Sequence, residues 1–195
     1  SMPVWSIAFS VDGRSLATCG EDGEVLIWDS QTLTSSKLAL DRRDPKTCVR
    51  FSPDSQGLAF AASDGSVTIW NVANGTSLHR LNGHFGAVYA VEFSPDGKRI
   101  ATTGQDEIVK LWDLETEAEL QTFISRGAAI RSLAFSPGGR KIAAASWDGT
   151  VKLLDAVTGG ELASFLGHSS SVTSVVFNPN GQLLASASWD GTVKL

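Results

Sequence analysis

The chain has 195 residues, 42% of them hydrophobic and 19% charged with mixed sign, enough apolar material for one ordinary core and not the composition of a disordered or fibrous polymer. Its 21 acidic and 16 basic residues give a net charge of −5, whereas phosphate-backbone binders ordinarily carry a basic excess, so general nucleic-acid binding is excluded as a leading class. No apolar run approaches the roughly 20 residues of a membrane span and no signal-peptide pattern opens the chain.

Ser1-Met2 reads as a cloning remnant ahead of an internal fragment, which puts targeting signals outside the sequence. From Val4 onward one pattern recurs. Phe9, Phe51, Phe93, Phe135 and Phe177 stand 42 residues apart, and so do Asp22, Asp64, Asp106, Asp148 and Asp190. The nonapeptide Ala-Ser-Trp-Asp-Gly-Thr-Val-Lys-Leu at 145–153 returns unchanged at 187–195. Five phases without an insertion are one structural unit used five times, over approximately 4-45, 46-87, 88-129, 130-171 and 172-195. The first unit carries Asp22-Gly23 ahead of Ile27-Trp28-Asp29, and the second Asp64-Gly65 ahead of Ile69-Trp70-Asn71.

The third unit shows its strands most plainly. Val88 to Phe93 is a β-rich run closed by the turn Ser94-Pro95-Asp96-Gly97, and Arg99 to Thr103 is a second run. Ile108 to Trp112 is a third, and Leu120 to Phe123 a fourth before a polar Ser125-Arg126-Gly127 turn. Four strands per unit without a helical period predict antiparallel meanders in an all-β fold. A meander of this size cannot bury both faces alone, so it must stack on copies of itself, and radial stacking of such sheets is a β-propeller. The expected architecture is four complete blades plus three strands of a fifth.

The residues now carry a resemblance. Asp22-Gly23 with Ile27-Trp28-Asp29, Asp64-Gly65 with Ile69-Trp70-Asn71, and Leu111-Trp112-Asp113 resemble the closing signature of the WD-repeat family, while Gly83-His84 and Gly167-His168 resemble its opening Gly-His. The Phe-Ser-Pro-Asp-Gly turn at 93–97 belongs to the same pattern, and the likeness spans essentially the whole chain. It implies blades around an axial channel and a rigid, non-catalytic platform for a protein or peptide partner. It also implies a structural network linking the histidine, a hydroxyl on the second strand, the turn Asp and the third-strand Trp. The third unit matches in full with His84, Thr102, Asp106 and Trp112. The fifth has His168, Ser186 and Asp190, and the first Thr18, Asp22 and Trp28. The second keeps Asp64 and Trp70 but has Arg42 and Phe60 at the other places; the fourth keeps Asp148 with Arg126, Ala144 and Leu154. Blades two and four are therefore expected to rely more on packing.

His168, Ser186 and Asp190 could be drawn as a hydrolase triad. Nothing supplies a strained nucleophile elbow or oxyanion glycines, and the trio recurs in phase as part of the fold pattern, so no enzyme is expected. No metal-spaced histidines, phosphate-cradling loop or calcium loop appears, and no cofactor is expected. Cys19 and Cys48 lie in unrelated contexts and read as reduced thiols of a cytoplasmic protein.

Binding candidates come from strand geometry. The residue before each turn Asp projects from one end of the blade, the top in this family: Glu21, Ser63, Gln105, Trp147 and Trp189. The second residue of strand one lies near the same rim: Trp5, Thr47, Tyr89, Arg131 and Thr173. Trp5, Tyr89, Gln105, Arg131, Trp147 and Trp189 form the candidate partner-binding set, because large aromatics and Arg dominate interface hot spots. Trp147 and Trp189, on adjacent blades, are expected to be neighbours. Two readings of these tryptophans stay open, partner binding and packing over the neighbouring blade. Stacking of a small ligand or glycan is the alternative use of the same face. At the opposite end, Arg14, Lys98, Arg99, Arg140 and Lys141 interleave with Asp12, Asp54 and Asp96 and read as a solvated mixed-charge rim.

The fifth blade lacks its outer strand, so its third strand is expected to present an unprotected edge. Three readings follow: a fragment of a larger propeller, self-association with other copies through the unpaired edge, or an imperfect five-blade ring.

Overall fold

The computed structural model describes residues 2–38, 40, 44–125 and 128–195; the network positions Arg42 and Arg126 and part of the expected 125–127 turn lie outside them. Each unit is an antiparallel meander. Blade one comprises β1 (Val4–Phe9), β2 (Ser15–Gly20), β3 (Val25–Asp29) and β4 (Ser35–Lys37). Blade two comprises β5 (Lys46–Phe51), β6 (Gly57–Ala62), β7 (Ser66–Asn71) and β8 (Thr76–Asn82). Blade three follows with β9 (Val88–Phe93), β10 (Arg99–Gly104), β11 (Ile108–Asp113) and β12 (Glu119–Ile124). Blade four has β13 (Ile130–Phe135), β14 (Lys141–Ser146), β15 (Val151–Asp155) and β16 (Glu161–Phe165). Blade five has β17 (Val172–Phe177), β18 (Leu184–Ser188) and β19 (Val193–Lys194). The described residues hold no helix, and the five sheets form a β-propeller whose first strands face a common axis.

Turn chemistry explains the regularity. At the hairpin after each first strand of blades one to three, a Ser hydroxyl donates to an Asp carboxylate two residues on (Ser10 to Asp12, Ser52 to Asp54, Ser94 to Asp96), and that carboxylate accepts a backbone N–H beyond it. This is the Asx geometry that fixes a tight turn without help from the core. Before each third strand, Asp22, Asp64, Asp106, Asp148 and Asp190 accept the N–H two residues on in the same way.

The hydrophobic core lies between blades. Among the described residues, one cluster joins blades one and two through Ala17, Val25, Phe51 and Leu58, and another joins two and three through Val67, Ile69, Phe93 and Ile100. Leu111, Phe123, Phe135 and Ile142 join three and four, and Ala145, Val151, Val172 and Val175 join four and five. In each of blades two to four the recurring Phe plugs into the preceding blade: Phe51, Phe93 and Phe135 are 7–8% exposed. Phe9 occupies the same place in blade one and is 65% exposed, with Val4, Ile7 and Val11 exposed around it. No blade is self-sufficient: blades two, three and four are each half of two cores, and blades one and five are each half of one.

Candidate functional site

A defect in the ladder builds the site. In every blade the first strand carries one residue more than its partner: Val4 pairs with Gly20 but Ser6 with Cys19, and the same shift recurs at Lys46/Cys48, Val88/Ala90, Ile130/Ser132 and Val172/Ser174. The extra residues are Trp5, Thr47, Tyr89, Arg131 and Thr173. A bulged residue leaves the pleat and is re-aimed, and all five line one axial channel of about 810 Å³.

A second repeated bond brings the other rim positions to the same end. The backbone N–H of Glu21, Ser63, Gln105, Trp147 and Trp189 donates to the carbonyl of Pro3, Pro45, Ala87, Ala129 and Ser171, just before each first strand. The tip of every second turn is thereby tied to the mouth of the channel.

Tyr89, Arg131 and Trp147 meet there. The Tyr89 and Trp147 rings stack with centroids 6.0 Å apart and planes at 26°. The Arg131 guanidinium lies 4.7 Å from the Tyr89 centroid and 5.5 Å from that of Trp147, closing a triangle across blades three and four. Trp147 therefore finds its ring partner in the preceding blade and not in Trp189. In blade five the bulge residue is Thr173, and Trp189 stands 73% exposed on the channel lining. Trp5, 48% exposed, shares that lining. Gln105 is exposed and lies over Gly86, outside the channel.

Beneath the rim runs the polar network. In blade three Trp112 Nε1 donates to Thr102 Oγ1 (2.8 Å), the Thr102 hydroxyl sits 2.8 Å from His84 Nε2, and His84 Nδ1 is 2.9 Å from Asp106 Oδ2. The Phe85 N–H also donates to Asp106 Oδ2. Each polar side-chain group of this four-residue network has a partner if His84 is neutral with its proton on Nδ1. Burial correspondingly holds the His84 pKa below its usual value. In blade five His168 bridges Asp190 (2.8 Å) and Ser186 (2.9 Å). In blade one Trp28 Nε1 donates to Thr18 Oγ1 at 3.0 Å and Asp22 caps its turn. Blade two has Phe60 in place of the hydroxyl; its ring packs 6.5 Å from Trp70, whose buried Nε1 has no partner among the described residues. Asp64 there binds Ser66 and Arg80 instead. Blade four packs Ala144 and Leu154 at 0% and 4% exposure, while Asp148 caps its turn through Thr150.

Comparison with protein-family models matches residues 45–195 to IFT122 first beta-propeller and residues 1–29 to WD domain, G-beta repeat. The chain belongs to the WD-repeat β-propeller family. Comparison with curated proteins finds no match. WD-repeat propellers commonly mediate protein–protein interaction and are in general non-catalytic scaffolds.

The family identity clarifies the serine trio. His168, Ser186 and Asp190 have the spacing of a catalytic triad, yet blade three builds the same bonds around Thr102, where the hydroxyl serves a buried Trp. Ser186 also lies within β18, its backbone paired with Val175 and Lys194, so no strained elbow presents it. In this WD-repeat chain the trio ties the loop before β17 to β18 and to the turn before β19. Cys19 and Cys48 are unpaired and buried, and burial pushes the Cys19 thiol up to about 12. At the opposite end, Arg99 donates to Gly139 and Ala156 carbonyls of the next blade, a bond between blades and not a solvated charge.

Residue-type reasoning missed Arg50, which lines the channel and pairs through Nε with Glu92 Oε2 at 3.2 Å. Arg50 and Glu92 hold one repeat position in successive units, and opposite charges at one phase were the available signal.

Proposed function

We propose that this WD-repeat propeller is an interaction scaffold that docks a protein or peptide partner on the top rim, over the mouth of the axial channel. The observation that carries this reading is the convergence of Trp5, Tyr89, Arg131, Trp147 and Trp189 at one end of the molecule. None of these side chains closes a core, and four of the five are exposed. Aromatics and Arg around a concave site are the groups that supply most interface energy. A reducing, cytoplasmic setting belongs to the proposal and is supported by the two buried thiols.

Peptide-display selection on the intact chain tests it. Enriched peptides should lose binding when Trp189 and Trp5 are both replaced by Ala, with the melting temperature nearly unchanged. Enrichment that survives the double substitution would move the interface elsewhere. The glycan reading has less support, since one ring face of Trp147 is occupied by Tyr89; a glycan array showing Trp189-dependent binding would revive it. Self-association is a second reading, supported by the exposed apolar face around Phe9.

A further inference from the structure

Building on the rim as a peptide-docking surface, we infer that the axial channel receives an acidic side chain of the partner, an aspartate or glutamate, on Arg131. Among the described residues, the charged groups of the channel lining are Arg50 and Arg131, both cationic, in a chain of net charge −5. Arg50 is already held by Glu92. Arg131 has no ion pair and no hydrogen bond among the described residues; its contacts are the Tyr89 and Trp147 rings.

That contact leaves the binding chemistry free. An aromatic ring attracts a guanidinium by cation–π interaction and offers it no lone-pair acceptor, whereas the five N–H donors lie in the guanidinium plane as a fork matched to a carboxylate. The rings thus hold Arg131 in place while its N–H groups have no hydrogen-bond acceptor among the described residues, which lowers the ordering cost of a bidentate pair. The bulge supplies the aim, since Arg131 stands outside the ladder and at the channel.

The same geometry selects among anions. A phosphoryl group carries close to two negative charges and favours a cluster of cations, but one unpaired guanidinium faces this channel. Capture of a terminal carboxylate uses free backbone N–H groups; those of Gln105, Trp147 and Trp189 are spent on Ala87, Ala129 and Ser171. A side-chain carboxylate fits what remains.

The test is a peptide array probed with the labelled full chain. Acetylated and amidated decapeptides carry Glu, Gln or phosphoserine at the centre of varied flanks, and a further set ends in a free carboxylate. Glu-centred peptides should bind on the order of tenfold better than their Gln isosteres, the scale of a charge-assisted pair. In Arg131→Gln that ratio should fall to about one with the melting temperature preserved. Arg131→Lys, which keeps charge but not the fork, should retain part of it. A wild-type ratio near one, with binding still dependent on Trp189, overturns the acidic assignment and leaves the rim reading intact. Preference for phosphoserine or for free C-termini also overturns it. Failure to capture any peptide overturns both readings.

Discussion

Single residues show how closely backbone and side chain agree in this repeat. Gly23, Gly65, Gly149 and Gly191 follow the turn Asp in four units, all with φ between 74° and 88°. A Cβ on Gly65 would stand 2.6 Å from the His84 carbonyl oxygen. The third unit has Glu107 at that position, at φ 62°. A left-handed non-glycine residue costs about 1–2 kcal/mol, and glycine returns part of this as chain entropy. Gly65→Ala should therefore destabilise clearly in chemical denaturation, since the added Cβ meets a backbone oxygen at a left-handed φ.

His84 gives the second residue-scale expectation. Its neutral form donates to Asp106 and accepts from Thr102, with Lys110 and Glu119 close by, and burial lowers its pKa below 6.5. As the pH falls below 6.5 the unfolded chain takes up a proton that the folded chain refuses, so stability present above that value is lost on acidification. Melting temperatures at pH 7.5 and 5.5 should differ more for the wild type than for His84→Gln. An equal or smaller fall in the wild type would mean that the histidine is charged when folded.

At the scale of elements, the top turns separate into two kinds. Trp147 stacks on Tyr89 and supports Arg131, so Trp147→Ala should cost about 1–2 kcal/mol in thermal or denaturant unfolding. Trp189, at the equivalent turn of blade five, makes no ring contact among the described residues, and Trp189→Ala should stay within about 0.5 kcal/mol. Identical nonapeptides thus have different consequences, because the flanking bulge residues differ: Tyr89 of the preceding blade and Arg131 of its own for Trp147, Arg131 and Thr173 at the matching places for Trp189. That difference was visible in the sequence as composition but not as geometry. Alternating periodicity reads a strand as two faces and cannot register one inserted residue, so Trp5, Tyr89 and Arg131 were legible as rim candidates while their turn into the channel was not. Adjacency was legible too, but not the direction of lean: the repeat makes Trp147 and Trp189 neighbours in order, and packing sends Trp147 back onto blade three.

Across the whole molecule, the 42-residue phase of Phe and Asp dictated nearly everything about architecture. A constant period forces a constant blade, and a blade with two apolar faces forces stacking. What the phase does not specify is which faces are covered. Phe93 is 7% exposed between blades and Phe9 is 65% exposed on the first. Phe93→Ser should cost about 3–5 kcal/mol and Phe9→Ser under about 1 kcal/mol, read from denaturant midpoints. A comparable loss at both sites would show that the face of blade one is covered in solution, and light scattering would then report a species heavier than 20.6 kDa.

The surplus residue on every inner strand has a wider consequence. It stands outside the pairing register, and its contacts across blades (the Thr47 hydroxyl donating to the Val88 carbonyl, Arg131 and Trp147 on Tyr89) are made at the lumen and not in the apolar cores, so its identity can change with those cores intact. Five such positions converge on one lumen, outside the cores that hold the blades together. A duplicated module can therefore stay mechanically the same while its ligand preference is rewritten, a few side chains at a time, around a circle.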